Sequence, residues 1–352
     1  MKTEEKEKHI IGVNATILEA LEKLNSLSGG EMTLAVVDSE GRMKGSLTDG
    51  DIRRGLLKGI DIAAPVSEVM FKTFRALDSE NKDISKLKEI RDLGISLVPS
   101  LDAEGRIVDF IDTTETLTKL PLSAVLMAGG KGERLRPLTL STPKPLLPIQ
   151  GKPIIDYNID LLNLYGISDI WVTVNYMAEQ IEAHFEGSQV NTVRENKFLG
   201  TIGSVSLIDL PEKGDTLVMN ADLLTTISIE DMYLRHINEN ADVTIAAIPY
   251  NVSVPYAILS TDSSSVTGIE EKPSYSYFAN AGIYIFSNAV LSTVTSDFRT
   301  DATDLIEKVI AGGGKVTFYP INGTWIDIGS PVDFSHAQEL MRHISNLNRH
   351  RI

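Results

Sequence analysis

The chain has 352 residues, of which 42% are hydrophobic, and its formal net charge is −15. This length favours two domains over one, and a pI near 4.9 argues against general nucleic-acid or anionic-membrane binding. The sequence has no cysteine, which excludes disulfides, thiolate metal sites and cysteine nucleophiles. No apolar run reaches the roughly 18 residues that span a bilayer, and no signal-type apolar region follows the charged N-terminus. We therefore expect a cytoplasmic protein.

The first third of the chain contains an internal repeat. Residues 1–8 are predicted to form a flexible charged tail, and further along the segment 38–51 matches the segment 102–115 at a constant offset of 64. In each copy an amphipathic helix precedes two strands joined at a Glu-Gly turn, and a last helix is predicted to begin near Asp51 or Glu115. The pattern predicts a pair of β-α-β-β-α units over residues 9–120.

Residues 45–53 of the first copy read GSLTDGDIR and resemble the signature of cystathionine β-synthase (CBS) domains, which occur in pairs and often bind adenosine nucleotides. The resemblance implies a site for AMP or ATP in which Thr48 holds phosphate and Asp51 holds ribose. Asp112 and Glu115 take these positions in the second copy, and a carboxylate at the phosphate position repels the ligand. We therefore expect at most one competent site. The alternative is a pair that only mediates dimerisation or positions the next domain, with Thr48 as an ordinary helix N-cap.

A second region, residues 121–352, alternates strands and helices. Strands are predicted at residues 124–127, 170–174, 216–219, 243–248, 281–286 and 316–320, and helices at 157–165, 178–185, 229–238, 301–311 and 333–347. This alternation favours a Rossmann-like α/β domain with a mixed, mostly parallel sheet, whose ligands lie at the carboxyl ends of the strands.

A glycine-rich loop follows the first of these strands. Ala128, Gly129, Gly130 and Gly132 let backbone amides approach a phosphate or a base closely. The loop and its continuation contain one acidic residue, Glu133, and four cationic residues: Lys131, Arg134, Arg136 and Lys144. This local reversal of the net charge indicates a site for a highly anionic ligand.

The loop segment GGKGERLRPLT, at residues 129–139, and the Pro-Lys-Pro that follows resemble the signature of sugar-1-phosphate nucleotidyltransferases. The resemblance covers about residues 122–340. It implies that Gly129 and Gly130 contact the nucleotide, that Arg134 clamps the triphosphate, and that Lys144 contacts the phosphates at the reacting centre.

Two aspartates are similar to that family's metal-binding residues. Asp222 follows the strand LVMNA, and Asp327 lies in WIDIG. Two carboxylates suit a hard divalent ion such as Mg²⁺. Taken alone, each aspartate is more typical of a cap or a solvated turn.

The resemblance also implies residues for the base and the sugar. Residues 195–203, ENKFLGTIG, are similar to a segment of guanylyl- and some uridylyltransferases, with Ile202 where alanine is usual. Glu195 can accept from a base amino or imino group, which favours guanine, and the alternative is a loop carboxylate. The other implied contacts are Gly200 and Thr201 for the nucleotide, and Gly203, Glu271, Lys272, Asn280 and Gly282 for the sugar phosphate. A glycine inside an apolar strand, such as Gly282, fits a close ligand approach or a bulge.

We therefore expect an Mg²⁺-dependent sugar-1-phosphate nucleotidyltransferase that favours GTP, forms a homo-oligomer, and has no nucleic-acid or membrane partner. The order of the two regions resembles that of glucosamine-1-phosphate guanylyltransferases of nonulosonic (legionaminic) acid pathways, which serve cell-surface glycans. Mannose- or heptose-1-phosphate guanylyltransferases and uridylyltransferases are near alternatives. An adenine-nucleotide sensor with an inactive transferase domain is the alternative from another class.

Overall fold

The computed structural model describes residues 3–27, 31–80 and 83–349. The chain divides into two compact units, Met1–Lys119 and Leu120–Ile352, which we call unit 1 and unit 2. This boundary lies one residue before the predicted one. Among the described residues, no helix combines the length and the apolar character that a bilayer crossing requires.

Unit 1 contains two three-stranded sheets, β1-β2-β3 and β4-β5-β6. In each sheet the first two strands are parallel and the third is antiparallel to the second. The elements are α1 (Thr3–Lys8), β1 (Ile10–Gly12), α2 (Ile17–Ser26), β2 (Thr33–Val37), β3 (Met43–Thr48), α3 (Asp49–Leu57), β4 (Leu77–Asp78), α4 (Ile84–Asp92), β5 (Leu97–Leu101) and β6 (Ile107–Asp112). The two Glu-Gly turns have matching bonds, since Gly41 N donates to the Asp38 carbonyl and Gly105 N to the Asp102 carbonyl, each at 3.0 Å.

Unit 1 differs from the sequence prediction at two places. Residues 3–8 form helix α1 where a flexible tail was predicted, and Met1 and Lys2 lie outside the described residues. The prediction of a helix near Glu115 is wrong, because residues 113–115 form a turn. Asp112 Oδ1 accepts from Thr114 N at 2.9 Å, and Thr113 Oγ1 donates to the Ser96 carbonyl at 3.1 Å. Such local bonds compete with helix formation, so the second copy is a β-α-β-β unit.

Unit 2 is built on a seven-stranded sheet of order β11-β10-β7-β12-β17-β14-β18. Its elements are β7 (Leu122–Met127), β8 (Pro148–Ile149), β9 (Lys152–Pro153), α5 (Ile154–Leu164), β10 (Asp169–Val174), α6 (Ala178–Phe185), β11 (Asn191–Arg194), β12 (Asp215–Asn220), β13 (Leu223–Thr225), α7 (Ile229–Asn238), β14 (Val243–Ser253), β15 (Ile258–Asp262), β16 (Ser265–Glu270), β17 (Ser274–Ser287), α8 (Asn288–Leu291), α9 (Ala302–Ala311), β18 (Val316–Pro320), β19 (Trp325–Asp327) and α10 (Pro331–Arg349).

The sheet of unit 2 is mixed and mostly parallel, as predicted. Only β17 runs antiparallel to its neighbours, β12 and β14. The interior strand β7 is a nearly continuous buried run, which is typical of a strand covered on both faces. Ala128 N donates to the Thr173 carbonyl at 3.0 Å, and Ala221 N donates to the Met127 carbonyl at 3.2 Å. The glycine-rich loop therefore leaves the sheet between the carboxyl ends of β10 and β12, where ligands of such sheets bind.

Candidate functional site

The loop after β7 turns tightly around one glycine. Gly132 has a φ of +60°, and a Cβ added there would lie 2.9 Å from Thr139 Cγ2 and 3.1 Å from Lys144 Cβ, so this close approach requires glycine. Thr139 Oγ1 donates to the Gly132 carbonyl at 2.8 Å. The side chain of Leu135 anchors the loop in an apolar cluster that includes Ile326. These contacts hold Lys144 at the edge of the sheet.

Lys144 contacts both aspartates that the sequence predicts as metal ligands. Its ammonium bonds to Asp222 Oδ2 and lies 3.5 Å from Asp327 Oδ1. The aspartates are neighbours because β13 and β19 pair with Leu223 opposite Asp327, and because Ile328 N donates to the Asp222 carbonyl at 3.2 Å. Only 11% of the Lys144 side chain is exposed, so salt screens these contacts less than surface ones. The structure thus brings three predicted residues together from distant parts of the chain.

The charges in this cluster do not balance. Two carboxylates face one ammonium, and among the described residues neither Asp222 Oδ1 nor Asp327 Oδ1, both buried, has a hydrogen-bond partner. Burial raises the pKa of Asp222. The nearby Lys144 ammonium lowers this pKa, whereas the negative charge of Asp327 raises it further. Unsatisfied buried carboxylate oxygens are destabilising unless a cation or donor meets them.

The donor chemistry of Asp222 and Asp327 fits a divalent cation. Mg²⁺ prefers oxygen ligands and is commonly held by one or two carboxylates together with water and substrate phosphates. Within the part of the chain that the structure describes, no group of three or more His, Asp or Glu side chains forms a possible metal cage. Asp222 and Asp327 would supply two carboxylate ligands to such an ion.

Arg134 lies beside the same cluster. A Cβ added to Gly329 would be 3.5 Å from both Arg134 Nη2 and Asp327 Oδ2, so the guanidinium and the carboxylate flank one glycine. Arg136, in contrast, pairs with Glu133 at 3.6 Å, where half of its side chain is exposed. The loop thus directs Arg134 and Lys144 toward the aspartates and Arg136 toward solvent.

A cavity of about 230 Å³ opens beside Lys144 and Asp222. Eight of the residues predicted from the sequence line it: Ala128, Gly129, Gly130, Lys144, Glu195, Gly200, Thr201 and Asp222. These residues come from the ends of several strands and their following loops, as expected for a site at the carboxyl edge of the sheet.

Glu195 forms a buried wall of the cavity, with 6% of the residue exposed. Its amide donates to the Val174 carbonyl at 2.9 Å, and its Oε2 accepts from Leu199 N at 3.1 Å. A Cβ added to Gly129 would lie 3.3 Å from Glu195 Oε1. Burial raises the pKa of Glu195, and the Leu199 amide opposes that rise. One carboxylate oxygen is thus fixed by the protein, and the other lies against the glycine-rich loop, where it can accept from a ligand.

The polar groups of Thr201 bond to the protein. Thr201 N donates to Asp301 Oδ1 at 2.9 Å, and Thr201 Oγ1 accepts from Ala302 N at 2.8 Å. Gly200 lines the cavity, whereas Gly203 is buried at the start of a short 3-10 helix behind the lining residues. Of these three predicted residues, Gly200 and Thr201 therefore reach the cavity, and Thr201 does so with its amide bonded to Asp301 and its hydroxyl oxygen bonded to Ala302 N.

The predicted sugar residues lie outside the cavity lining. Glu271 and Lys272 are exposed in the turn between β16 and β17. Asn280 Oδ1 accepts from Gly282 N at 3.0 Å, and Asn280 Nδ2 donates to the Tyr284 hydroxyl at 2.9 Å. Gly282 lies at an irregularity in the β14–β17 pairing, which confirms the predicted bulge at this glycine. The structure does not bring Glu271 and Lys272 into contact with the nucleotide residues.

Five residues of the cavity lining were not predicted as site residues: Met127, Pro145, Thr173, Phe198 and Asn220. Asn220 ends β12, and a Cβ added to Gly282 would lie 2.5 Å from Asn220 Nδ2. Phe198 is 51% exposed, with the guanidinium carbon of Arg299 5.1 Å from its ring centroid. A polar residue at the carboxyl end of a strand and an exposed aromatic close to Glu195 are signals that could have found Asn220 and Phe198.

Unit 1 contains a separate cavity of about 740 Å³, lined by residues of both sheets that include Thr48, Asp51, Arg54 and Arg75. Thr48 and Asp51 also form the capping box of α3. Thr48 Oγ1 donates to Asp51 Oδ2 at 2.7 Å, and Asp51 N donates to Thr48 Oγ1 at 3.3 Å. Arg54 donates to the other carboxylate oxygen, Oδ1, at 2.6 Å. Thr48 therefore caps helix α3, and Thr48 and Asp51 also line a cavity.

Unit 2 matches a known family. The nucleotidyl transferase family model matches residues 123–343, and the chain belongs to this family. The chain is 31% identical over 226 residues to mannose-1-phosphate guanyltransferase beta-A of Xenopus laevis, in a match that covers 60% of this chain and 62% of that protein. It is 30% identical over 231 residues to D-glycero-alpha-D-manno-heptose 1-phosphate guanylyltransferase of Aneurinibacillus thermoaerophilus, covering 63% of this chain and 99% of that protein.

The fold of unit 2 also occurs in a solved structure. A Bacillus anthracis protein, provisionally assigned as a glucose-1-phosphate thymidylyltransferase and crystallised with sucrose, matches with a TM-score of 0.50 and 22% identity, covering 63% of this chain and 95% of that chain. This likeness concerns the fold alone. The chain spans about three fifths of the length of the mannose-1-phosphate guanyltransferases that it matches.

Proposed function

We propose that unit 2 transfers a nucleotidyl group from a nucleoside triphosphate to a sugar 1-phosphate and releases pyrophosphate. The observation that carries this proposal is the cluster of Lys144, Asp222 and Asp327 beside Arg134 and the glycine-rich loop. Lys144 and Asp222 line the cavity, and Arg134 and Asp327 lie beside these two residues. Such a group of cations and unsatisfied carboxylate oxygens suits a metal–triphosphate ligand better than a bare phosphate. Membership of the nucleotidyl transferase family supports the same class of reaction.

In this reaction an oxygen of the sugar 1-phosphate attacks the α-phosphorus of the triphosphate in line. The bond between the α-phosphorus and the oxygen that bridges to the β-phosphate breaks, and pyrophosphate leaves with the electron pair. The nucleophile is already an anion, so no strong general base is needed. Arg134 and Lys144 orient the phosphates and neutralise their charge, while the backbone of Gly129 and Gly130 approaches the nucleotide.

Asp222 and Asp327 would hold the Mg²⁺ ion of this reaction. When bound, the ion supplies positive charge to phosphoryl oxygens. The same two aspartates hold the Lys144 ammonium against the cavity. Asp222 therefore has two roles, since it orients a cation of the protein and has a further buried oxygen free for a metal ion.

We propose guanine as the base. Glu195 has one carboxylate oxygen engaged by Leu199 N and the other at the glycine-rich loop. Guanine offers two adjacent donors, its imino and exocyclic amino groups, to such an acceptor, whereas uracil offers one imino group. A base that lacks this edge offers no donor to the buried Glu195 side chain and forgoes this charged hydrogen bond, which disfavours it. UTP is the near alternative.

For the sugar we propose glucosamine 1-phosphate or a related sugar phosphate used for cell-surface glycans. Glu271, Lys272, Asn280 and Gly282 would form the sugar-phosphate side of the site. Mannose and heptose 1-phosphates are the alternatives, supported by the names of the two curated relatives.

A substrate panel tests the reaction. The full-length protein with Mg²⁺ is incubated with each of the common nucleoside triphosphates and with glucosamine, mannose, heptose and glucose 1-phosphates. Pyrophosphate release is measured by a coupled assay, and products are identified by mass spectrometry. We expect pyrophosphate and a GDP-sugar from one pair, and no product from Lys144→Met. The absence of pyrophosphate with every pair would overturn the proposal and favour an adenine-nucleotide sensor with an inactive transferase domain.

For unit 1 we propose an adenine-nucleotide site of the CBS type in the cavity that Thr48 and Asp51 line. Arg54 and Arg75 at the same cavity supply positive charge for phosphate. A ligand that binds only the folded state raises the melting temperature. We expect AMP or ATP at millimolar concentration to raise it in the wild type and not in Asp51→Ala.

A matched control separates ligand binding from helix capping. Thr16 and Glu19 form the same capping box on α2, away from the lining of this cavity. Glu19→Ala therefore weakens a helix cap in unit 1 but should retain the nucleotide response. If the wild-type melting temperature does not change with AMP or ATP, the pair is a scaffold and the proposal fails.

A further inference from the structure

Two segments of unit 2 that are about 100 residues apart in sequence are joined by several hydrogen bonds and one cation–π contact. The first, residues 195–203, is the base loop, which contains Glu195. The second, residues 297–302, ends at the first residue of α9 and is here called the clamp segment. We propose that the clamp segment positions the base loop for nucleotide recognition, with Asp301 as its principal positioning residue. The inference rests on the proposed role of Glu195 in binding the base.

Backbone bonds join the middle of the two segments. Thr300 N donates to the Leu199 carbonyl at 2.8 Å, and Ile202 N donates to the Thr300 carbonyl at 3.2 Å. Gly200 lies between these bonds with a φ of +91°, and any Cβ there would clash with the Thr300 carbonyl. Glycine at this position is therefore what lets the two backbones approach so closely.

Side chains extend the contact in both directions. Lys197 Nζ donates to the Asp297 carbonyl at 3.1 Å, and the Arg299 guanidinium lies over the ring of Phe198. On the other side, Thr201 N donates to Asp301 Oδ1 at 2.9 Å. Thr201 Oγ1 in return accepts from Ala302 N, one of the first amides of α9, at 2.8 Å. The threonine of the base loop thus satisfies a helix amide that would otherwise need another partner.

These bonds reach Glu195 through a single residue. Leu199 accepts from Thr300 N with its carbonyl and donates to Glu195 Oε2 with its amide. Displacement of the clamp segment therefore moves the donor that orients the Glu195 carboxylate. Because that carboxylate is buried beside Gly129, a small shift changes the hydrogen bonds available to a base.

Asp301 is the residue to test, because its carboxylate bonds to both segments. Oδ1 accepts from Thr201 N, and Oδ2 accepts from Arg299 at 2.9 Å. Asp304 supplies a matched control: its Oδ2 accepts from Asp301 N at 3.4 Å at the same helix end, and its side chain is exposed. Asp301→Asn retains an acceptor for Thr201 N and serves as the conservative variant.

The experiment measures GTP binding to the full-length protein by calorimetry, KM and kcat for GTP, and hydrogen exchange of the base loop without ligand. For Asp301→Ala we expect GTP affinity to fall and KM to rise about tenfold or more, as is typical for loss of a hydrogen bond to a charged group. We expect little change in kcat and faster exchange in residues 197–202. Asp301→Asn should restore most of the affinity, and Asp304→Ala should leave affinity and loop exchange at wild-type values.

The outcomes separate this inference from the proposed function. If the wild type binds no nucleotide, the proposed function and the clamp role are both overturned. If the wild type binds GTP and Asp301→Ala binds it equally well, or the base loop exchanges at the wild-type rate in Asp301→Ala, the clamp role alone is overturned. Equal losses of affinity in Asp301→Ala and Asp304→Ala would also overturn it, because they would show a general effect of the helix end.

Discussion

Replacement of Asp222 by asparagine tests the proposed chemistry most directly. The change retains the shape of the side chain but removes the charge that holds the Lys144 ammonium. It also removes one of the two carboxylates that fit a divalent cation. Lys144 then faces only Asp327, at 3.5 Å.

Two magnitudes follow from this geometry. Loss of one preorganised electrostatic contact in an active site typically costs about 3–4 kcal/mol of transition-state stabilisation, or about 100-fold or more in kcat. The effect on folding should be much smaller. Breaking a buried ion pair can cost about 3–5 kcal/mol, but Asp327 still neutralises Lys144 and no longer faces a second carboxylate. A net loss of about 1 kcal/mol corresponds to about 2–4 °C in melting temperature for a domain of this size.

The assay is pyrophosphate release with the productive substrate pair, combined with the melting temperature of the same samples. Asp209→Asn, an exposed change of the same charge, is the control. Asp327→Asn should lose less activity than Asp222→Asn, since Asp327 is more exposed and further from Lys144. Turnover near the wild-type value in Asp222→Asn would refute the proposed role of the cluster. A large loss of melting temperature would instead assign the effect to folding.

Two further predictions concern the base loop. Burial raises the pKa of Glu195 above 4.5, so the folded protein holds this proton to higher pH than the unfolded chain, and stability falls as pH rises from about 4.5. Glu195→Gln should remove this loss of stability and bind GTP more weakly. Melting temperatures of the wild type and the variant from pH 4.5 to 8 measure the loss, with the exposed Glu186→Gln as control. If the melting temperatures of Glu195→Gln and the wild type change with pH in parallel, the prediction is wrong. Gly200→Ala should lower the free energy of unfolding by about 2–4 kcal/mol, because Gly200 has a positive φ and a Cβ would clash with Thr300. Urea unfolding measures this change. A change below about 0.5 kcal/mol would show that the loop rearranges to accept the methyl group.

Much of the fold of unit 2 could be predicted, because its elements have strong local signals. Helix α7 and strand β18 have the bounds predicted from apolar periodicity. The outer half of the β14–β17 pair was missed: it continues to Ser253 opposite Ser274, beyond the predicted ends of both strands. Residues 250–253 (YNVS) and 274–277 (SYSY) do alternate between larger apolar or aromatic and small polar side chains, so a signal for these strands was present. Both faces are exposed, so the alternation marks no buried face and was overlooked.

The candidate site was predictable where one short segment carries the chemistry. Lys144, Gly129 and Gly130 line the cavity, whereas Gly132 is not among its lining residues and instead lies against Thr139 and Lys144. The bond between Thr201 and Asp301 could not be predicted, because it joins residues 100 positions apart and neither has an unusual local pattern. Thr201 does line the cavity, but its amide donates to Asp301 and its hydroxyl accepts from Ala302 N, and no local sequence pattern indicates these bonds.

The same ambiguity between capping and binding occurs at Asp51 in unit 1, and there it leads to a last prediction. Both oxygens of Asp51 are engaged, one by Thr48 and the other by Arg54. A ribose hydroxyl at Asp51 Oδ1 would compete with Arg54 for this oxygen. Displacing Arg54 costs little, because 64% of its side chain is exposed and such pairs contribute about 0–1 kcal/mol. The released guanidinium would then be free to pair with the phosphate of the same nucleotide.

Arg54→Gln should therefore weaken the response to AMP but not the response to adenosine, which needs only the ribose contact. Thermal shifts with adenosine and with AMP, for the wild type and this variant, measure the difference. Lys58→Gln, an exposed change of the same charge at the end of α3, is the control. Equal losses for adenosine and AMP in Arg54→Gln would mean that Arg54 supports the fold of the cavity and does not pair with phosphate.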